Sequence, residues 1–201
     1  DGIAVDWPIR YKDVAPWYSY AEKFAGISGS KEGLAELPDG EFLPAMEMNV
    51  VEKDVAARIK EYYKGTRHMF IGRTANITEP KPEQGRVNCQ YRNRCWRGCP
   101  FGAYFSTQSS TLPAAMATGN LTLRPFAIVT KILFDKDTKK ATGVEILDAE
   151  TNKTYEYKSK IVFVNASALN SAWILMNSAT DIWPDGLGSS SGELGHNVMD
   201  H

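Results

Sequence analysis

The chain has little cysteine and gathers all of it in one place. Cys89, Cys95 and Cys99 are the only three among 201 residues, inside "VNCQYRNRCWRGCPFG". Three thiols cannot all pair internally, so a disulfide framework is not the economical reading. Histidine is as scarce: His68, His196 and His201 are scattered, and no Ser-His-Asp or H-E-x-x-H arrangement can be assembled from them. Charge of one sign is lacking too. A net charge of −1 gives no reason for wholesale binding to nucleic acid or anionic lipid. No apolar run approaches the ~20 residues that cross a bilayer, and "IVFVNASAL" is strand-sized. There is no G-x-G-x-x-G, no internal repeat and no low-complexity tract. Residue 1 is Asp and no charged-then-apolar leader follows, so the numbering is expected to open within a gene, on a processed or shortened chain.

What remains is ordinary for a globular protein, with 43% hydrophobic and 23% charged residues. "DWPIRYKDVAPWYSYAEKFAGISG" reads as an extended entry and a helix. Asp13 is its expected N-cap, Pro16 lies in the first turn, and Gly26 is the stop. Its aromatics Trp17, Tyr18 and Tyr20 suggest a sugar-stacking platform, but at helical spacing they read as core. Residues 28–48 read as loop. "VVEKDVAARIKEYYKG" is a second amphipathic helix, ended by Gly65. "RHMFIGRTANIT" reads as a strand and its continuation, and "EPKPEQGR" as a polar loop. His68 reads as structural.

Past the cysteines the grammar changes. "STLPAAMATGN" is a short helix ending at Gly119, and "LTLRP" a strand. "AIVTKILFD", "ATGVEILDA" and "TYEYKSK", separated by "KDTKK" and "ETNK", make a β-meander. "KIVFVNAS" is a continuous apolar run, the pattern of a strand buried on both faces of a parallel sheet. A helix follows in "ALNSAWILMNSAT", with Leu169, Trp173 and Met176 on one side. This order describes an α/β fold, part of a nucleotide-binding domain. Because the Gly-rich phosphate loop is absent, the pyrophosphate-holding piece of such a domain is expected upstream of Asp1.

Five segments in order carry a resemblance: "DWPIRYKDVAPWYSYAE", "CPFGAYFSTQSSTLPAA", "GNLTLRPFAIVTKILFD", "KIVFVNASALNSAWILMNS" and "SSGELGHNVMDH". Together they resemble the glucose–methanol–choline (GMC) oxidoreductases, flavin enzymes that oxidise alcohols and sugars, over nearly the whole chain. The likeness is to the middle of a family member. It implies part of a Rossmann-like FAD/NAD(P)-binding domain with helical and loop segments of a substrate domain: a substrate-domain or cap segment at 1–85, a cysteine loop and the start of a helix at 86–112, and the central part of the FAD-binding domain at 113–201. It implies that the proton-abstracting His lies downstream, that no catalytic residue lies in this chain, and that the chain alone is inactive. It implies FAD contacts from Val129, through its main chain, and from Ala166, Ser167, Asn197 and Asp200. His201 is then a structural residue near the flavin, and His196 an exposed turn position. The sequence departs from the family's small-residue pattern at Ser167-Ala168, Ser171-Ala172 and Ala179, each time with another small residue.

For the cysteines alone, metal ligands, a Cys95–Cys99 disulfide and unrelated thiols stay open. Zinc is the poorer reading, because three sulfurs need a fourth ligand. The spacing C-x5-C-x3-C-P resembles a narrower branch, the membrane-associated fructose and FAD-glucose dehydrogenase large subunits. That likeness implies a three-iron, four-sulfur cluster on Cys89, Cys95 and Cys99, with Arg92, Arg94 and Arg97 offsetting its charge. It further implies a sugar or alcohol substrate and a cytochrome or quinone electron acceptor, with a periplasmic or membrane-associated setting as open as a cytoplasmic one. The alternative of another class is a small iron–sulfur electron-transfer module without its own flavin.

Overall fold

The computed structural model describes residues 6–199, which divide into two compact units, 6–122 and 123–199. The fold is mixed α/β, with four α-helices and one antiparallel sheet among the described residues.

In the first unit, α1 runs Tyr11–Ala25, two residues earlier than its expected cap. Asp13 therefore sits inside the first turn, and its carboxylate accepts from the Arg10 N–H at 2.8 Å. Pro16 lies within the helix rather than at its start. Gly26 ends it with φ +76, as a left-handed cap requires. A reciprocal capping box opens α2 (Val50–Tyr62). Asn49 Oδ1 accepts from Glu52 N–H at 2.9 Å, and the Glu52 carboxylate accepts from Asn49 N–H at 2.8 Å. The short α3 spans Thr111–Ala117.

The strand expected over "RHMFIGRTANIT" does not form. Its residues pair only through isolated bridges, Thr74 with Ser28 and Asn76 with Tyr104. These bridges still make a core. The Ile77 N–H donates to Ala103 O, Cys89 N–H to Ile77 O and Val87 N–H to Phe101 O, which draws three loops around the fully buried Ile77. The aromatics of α1 are not core: Trp17, Tyr18 and Tyr20 are all exposed, and Tyr18 stacks on Tyr11. Helical spacing puts them on a surface without saying whether anything covers it.

The second unit holds the meander, β1 (Ala127–Asp135), β2 (Lys140–Asp148) and β3 (Thr154–Lys158), in the order β1-β2-β3. Both turns are entered through an Asp whose carboxylate accepts backbone N–H groups. Asp135 takes that of Asp137 at 2.9 Å, and Asp148 that of Thr151 at 2.9 Å. Ile132, Ile146 and Ile174 are the unit's buried apolar residues, and α4 (Ser167–Met176), which carries Ile174, packs on β1. A bulge follows Val129. Past it, the Ile132 N–H donates to the buried Ser178 Oγ at 2.8 Å, while Ser178 donates to Ile174 O at 2.6 Å.

Two expectations fail in this unit and one holds. "LTLRP" is not a strand. Leu169, Trp173 and Met176 do share a face of α4, but an exposed one; Ile174 is the residue that packs. The stretch 160–166, read as a strand buried on both faces, is extended and pairs with none of the described strands. Val162, Val164 and Ala166 are half-buried while Ile161 and Phe163 are exposed, Phe163 to 79%. An apolar run records the wish for cover on both faces. Here only one face has it.

Candidate functional site

Two places bring together residues singled out from the sequence. The first is a notch of about 150 Å³ in the second unit. Val129 and Ile132 of β1, Val144 of β2, the extended 162–166 stretch and Ile174 line it. Two of the expected FAD contacts, Val129 and Ala166, thus face one apolar space. Ser167 follows directly as the first residue of α4, with φ +66. For a residue with a Cβ that region costs about 1–2 kcal/mol, which glycine would not incur. No side chain caps this end of α4, so its first N–H groups are left for water or a ligand. Asn197 is exposed and lies outside the lining; its amide donates to the Glu193 carboxylate. Asp200 and His201 fall outside the described residues. A notch this size accepts a fragment of a ligand, since whole-ligand pockets run to ~300 Å³ and more. The residues fit part of a flavin dinucleotide's surface.

The second place is a cavity of about 270 Å³ in the first unit, lined by all three cysteines with Asn76, Arg92 and Arg94 among others. Local structure explains the shape of its wall. Tyr91 and Asn93 take positive φ, a one-turn helix spans Cys95–Arg97, and Gly98 turns the chain back at φ +85. The Tyr91 N–H lies 3.5 Å from Cys89 Sγ. At Cys99, burial would raise the thiol pKa, but the backbone N–H groups of Tyr104, Phe101, Ala103 and Gly102 outweigh it and bring it below the ordinary thiol value. Arg92, Arg94 and Arg97 are not among the causes there. All three thiols are free and half-buried. They share a wall without converging, and no group of three or more metal-ligating side chains forms among the described residues. As placed, they do not fit a cluster.

Sequence reasoning missed what supports this loop. Arg86, 2% exposed, donates from Nε to Gly102 O at 2.7 Å, from Nη1 to Ala25 O at 2.6 Å and from Nη2 to Ala103 O at 3.2 Å. It also donates to Gln84 Oε1, which in turn accepts from the buried Ser110 hydroxyl at 2.9 Å. A guanidinium buried against carbonyls, with no carboxylate partner, has no sequence signature. Asn76, whose Oδ1 is buried without a hydrogen-bond partner, is a second wall residue that nothing in the sequence announced.

Comparison with known proteins gives the family. A model of the GMC oxidoreductase N-terminal domain, an FAD-binding Rossmann-like domain, matches residues 8–201. The chain is 30% identical, over 98% of its length, to the 2-methyl-1,2-propanediol dehydrogenase of Mycolicibacterium austroafricanum, of which it covers 35%. It is 25% identical to the 6'''-hydroxyparomomycin C oxidase of Streptomyces lividus, over 98% of this chain and 36% of that protein. To the fructose dehydrogenase large subunit of Gluconobacter japonicus it is 22% identical, over 100% of this chain and 36% of that protein. The chain spans about a third of the length of these relatives. Among the described residues no helix is long and apolar enough to cross a membrane. With the family model matched from residue 8 to residue 201, the chain belongs to the GMC oxidoreductases.

Proposed function

We propose that this chain forms part of the FAD-binding and substrate-side shell of an oxidoreductase acting on the CH–OH group of a sugar or another alcohol. The observation that carries this reading is the convergence of Val129 and Ala166 on one apolar notch beside the uncapped start of α4. When bound, FAD supplies the hydride acceptor. The chain's own share is to hold and orient. The Val129 main chain and the small residues Ala166 and Ser167 let a ligand approach the backbone closely, and the meander beneath keeps the notch in shape. The family relationship supports FAD, and names of relatives that act on a diol, an aminoglycoside and fructose support an alcohol or sugar substrate. Asn197 and Asp200 are proposed as further cofactor contacts. No catalytic residue is assigned to this chain, which by itself is expected to bind FAD weakly and to turn nothing over. A flavin-free electron-transfer module finds no support in the comparisons.

The test uses the full-length protein. Ala166→Leu fills the notch and is expected to lower FAD content at least tenfold, whereas Ser167→Gly keeps it. Full FAD occupancy in a folded Ala166→Leu protein overturns the placement. Dye-linked oxidation of diols and sugars then reads the substrate class.

A second reading rests on the three thiols lining one cavity. A three-iron, four-sulfur cluster would be held by Cys89, Cys95 and Cys99 only if that loop brought the thiols together, and would then supply an electron exit toward a cytochrome or quinone. Iron and acid-labile sulfide in anaerobically purified protein decide it. Less than one cluster equivalent, with unchanged reduction kinetics in Cys95→Ser, ends it.

A further inference from the structure

The arginines of this chain differ in what they face. Arg10, Arg58, Arg73 and Arg124 each hold a carboxylate between 2.6 and 3.2 Å away. Arg86 is buried against carbonyls. Arg92, Arg94 and Arg97 are exposed and form no ion pair among the described residues. They stand in a stretch, 84–134, that contains no Asp or Glu at all. On a chain of net charge −1, this is a local separation of charge and not a basic protein. Between two of them, at the centre of the Cys95–Arg97 turn, Trp96 is 92% exposed, more than any other large hydrophobic residue described.

The tip is exposed without being loose at its base. Val87 and Cys89 donate to Phe101 O and Ile77 O at 3.0 and 2.8 Å, and Arg97 N–H closes the turn onto Arg94 O at 3.1 Å. A surface held this way needs little ordering when it binds. Trp and Arg are also the side chains that carry most energy at protein interfaces. Every cation between 84 and 130 is Arg, whose fork matches a carboxylate at two points where Lys offers one. A bilayer surface is the poorer occupant, because interfacial binding draws on a long apolar helix face and this tip is a single turn with one indole. Single-stranded nucleic acid asks for an extended basic groove with several stacking rings, and three arginines around one Trp do not make one.

We infer that segment 91–97 is a docking site for a partner protein presenting clustered carboxylates, with Arg92, Arg94 and Arg97 as the charge contacts and Trp96 as the apolar one. The inference does not depend on the notch proposed for FAD.

The experiment uses the full-length protein and two forms of one soluble probe: succinylated cytochrome c, which is acidic, and the unmodified protein, which is basic. Equilibrium binding at low salt should be seen for the acidic form alone and weaken steeply as salt rises. An R92S/R94S/R97S variant should bind at least tenfold more weakly with a flatter salt dependence, while its urea midpoint stays unchanged. Binding should quench tryptophan emission, and Trp96→Phe should remove most of that change, which locates the probe at the tip. Equal binding of the two forms, wild-type binding by the triple variant, or quenching that survives Trp96→Phe overturns the inference. So does co-sedimentation with phosphatidylserine–phosphatidylcholine vesicles that the triple variant loses while it still binds the acidic probe.

Discussion

The Arg86 guanidinium donates to the carbonyl of Ala25, 2.6 Å away and 61 positions earlier in the chain. That carbonyl belongs to the last residue of α1, one of the four acceptors every helix leaves unpaired at its end. The same guanidinium reaches Gly102 and Ala103 beyond the cysteines, so one side chain fastens the end of the helix to the exit of the loop.

Arg86→Met should therefore be severely destabilising. It keeps the volume but takes the donor from the part-buried Gly102 and Ala25 carbonyls, while Ala103 O keeps the Ile77 N–H, and the expected loss is about 3 kcal/mol by urea unfolding. Arg86→Lys keeps a charge without the fork and should recover only part of it. An unchanged midpoint in Arg86→Met would mean that water satisfies those carbonyls.

In the second unit, Ser178→Ala removes the acceptor of the Ile132 N–H. A buried donor without a partner costs about 1–3 kcal/mol. The loss should appear in urea unfolding, with faster amide exchange at Ile132 than at Ile146. Ser178→Thr keeps the hydroxyl and should exchange more slowly than the alanine variant.

Ser167→Gly should stabilise. The φ of +66 strains serine, and relief less the entropy of a new glycine leaves a gain of about 0.5–1 kcal/mol. Ser167→Val, branched at Cβ, should lose stability instead. Melting temperatures of the three proteins, measured with and without added FAD, separate backbone strain from cofactor binding.

The turns of the meander should loosen in acid. Backbone N–H donors, those of Asp137 and Thr151 foremost, hold the carboxyls of Asp135 and Asp148 below the usual carboxylate range. Groups whose pKa falls on folding add stability that is complete above the unfolded value of about 3.9 and is lost as pH drops through the folded value. Amide exchange at 135–139 and 148–153 should speed up below about pH 4, and Asp135→Asn with Asp148→Asn should remove much of that dependence.

What could be read without the structure follows from the range of the forces involved. The meander was legible because its turns are local: an Asp, a polar run and alternating strands specify each hairpin within a dozen residues. The capping box at Asn49 and Glu52 is local in the same way. Stretch 160–166 was not, because apolarity states a demand for cover and not its source. Arg86 was illegible for the opposite reason. Its acceptors come from residues 25, 84, 102 and 103, which no window holds together. The cysteines sit between these cases: the resemblance carried by their spacing implied a common ligand set, and the structure brings them to a common cavity, which is less.

The extended stretch at 160–166 has a practical consequence. It presents Ile161 and Phe163 to water on a backbone outside any ladder. Such a segment is a template for a foreign strand, and two copies can meet there edge to edge. Expressed by itself, the polypeptide should self-associate through this edge, and Phe163→Lys should keep it dispersed at concentrations where the parent precipitates. The same edge offers a handle for reassembly from pieces, since a complementary strand supplied in trans would pair with the backbone groups that Ser159 and Ser171 do not already hold.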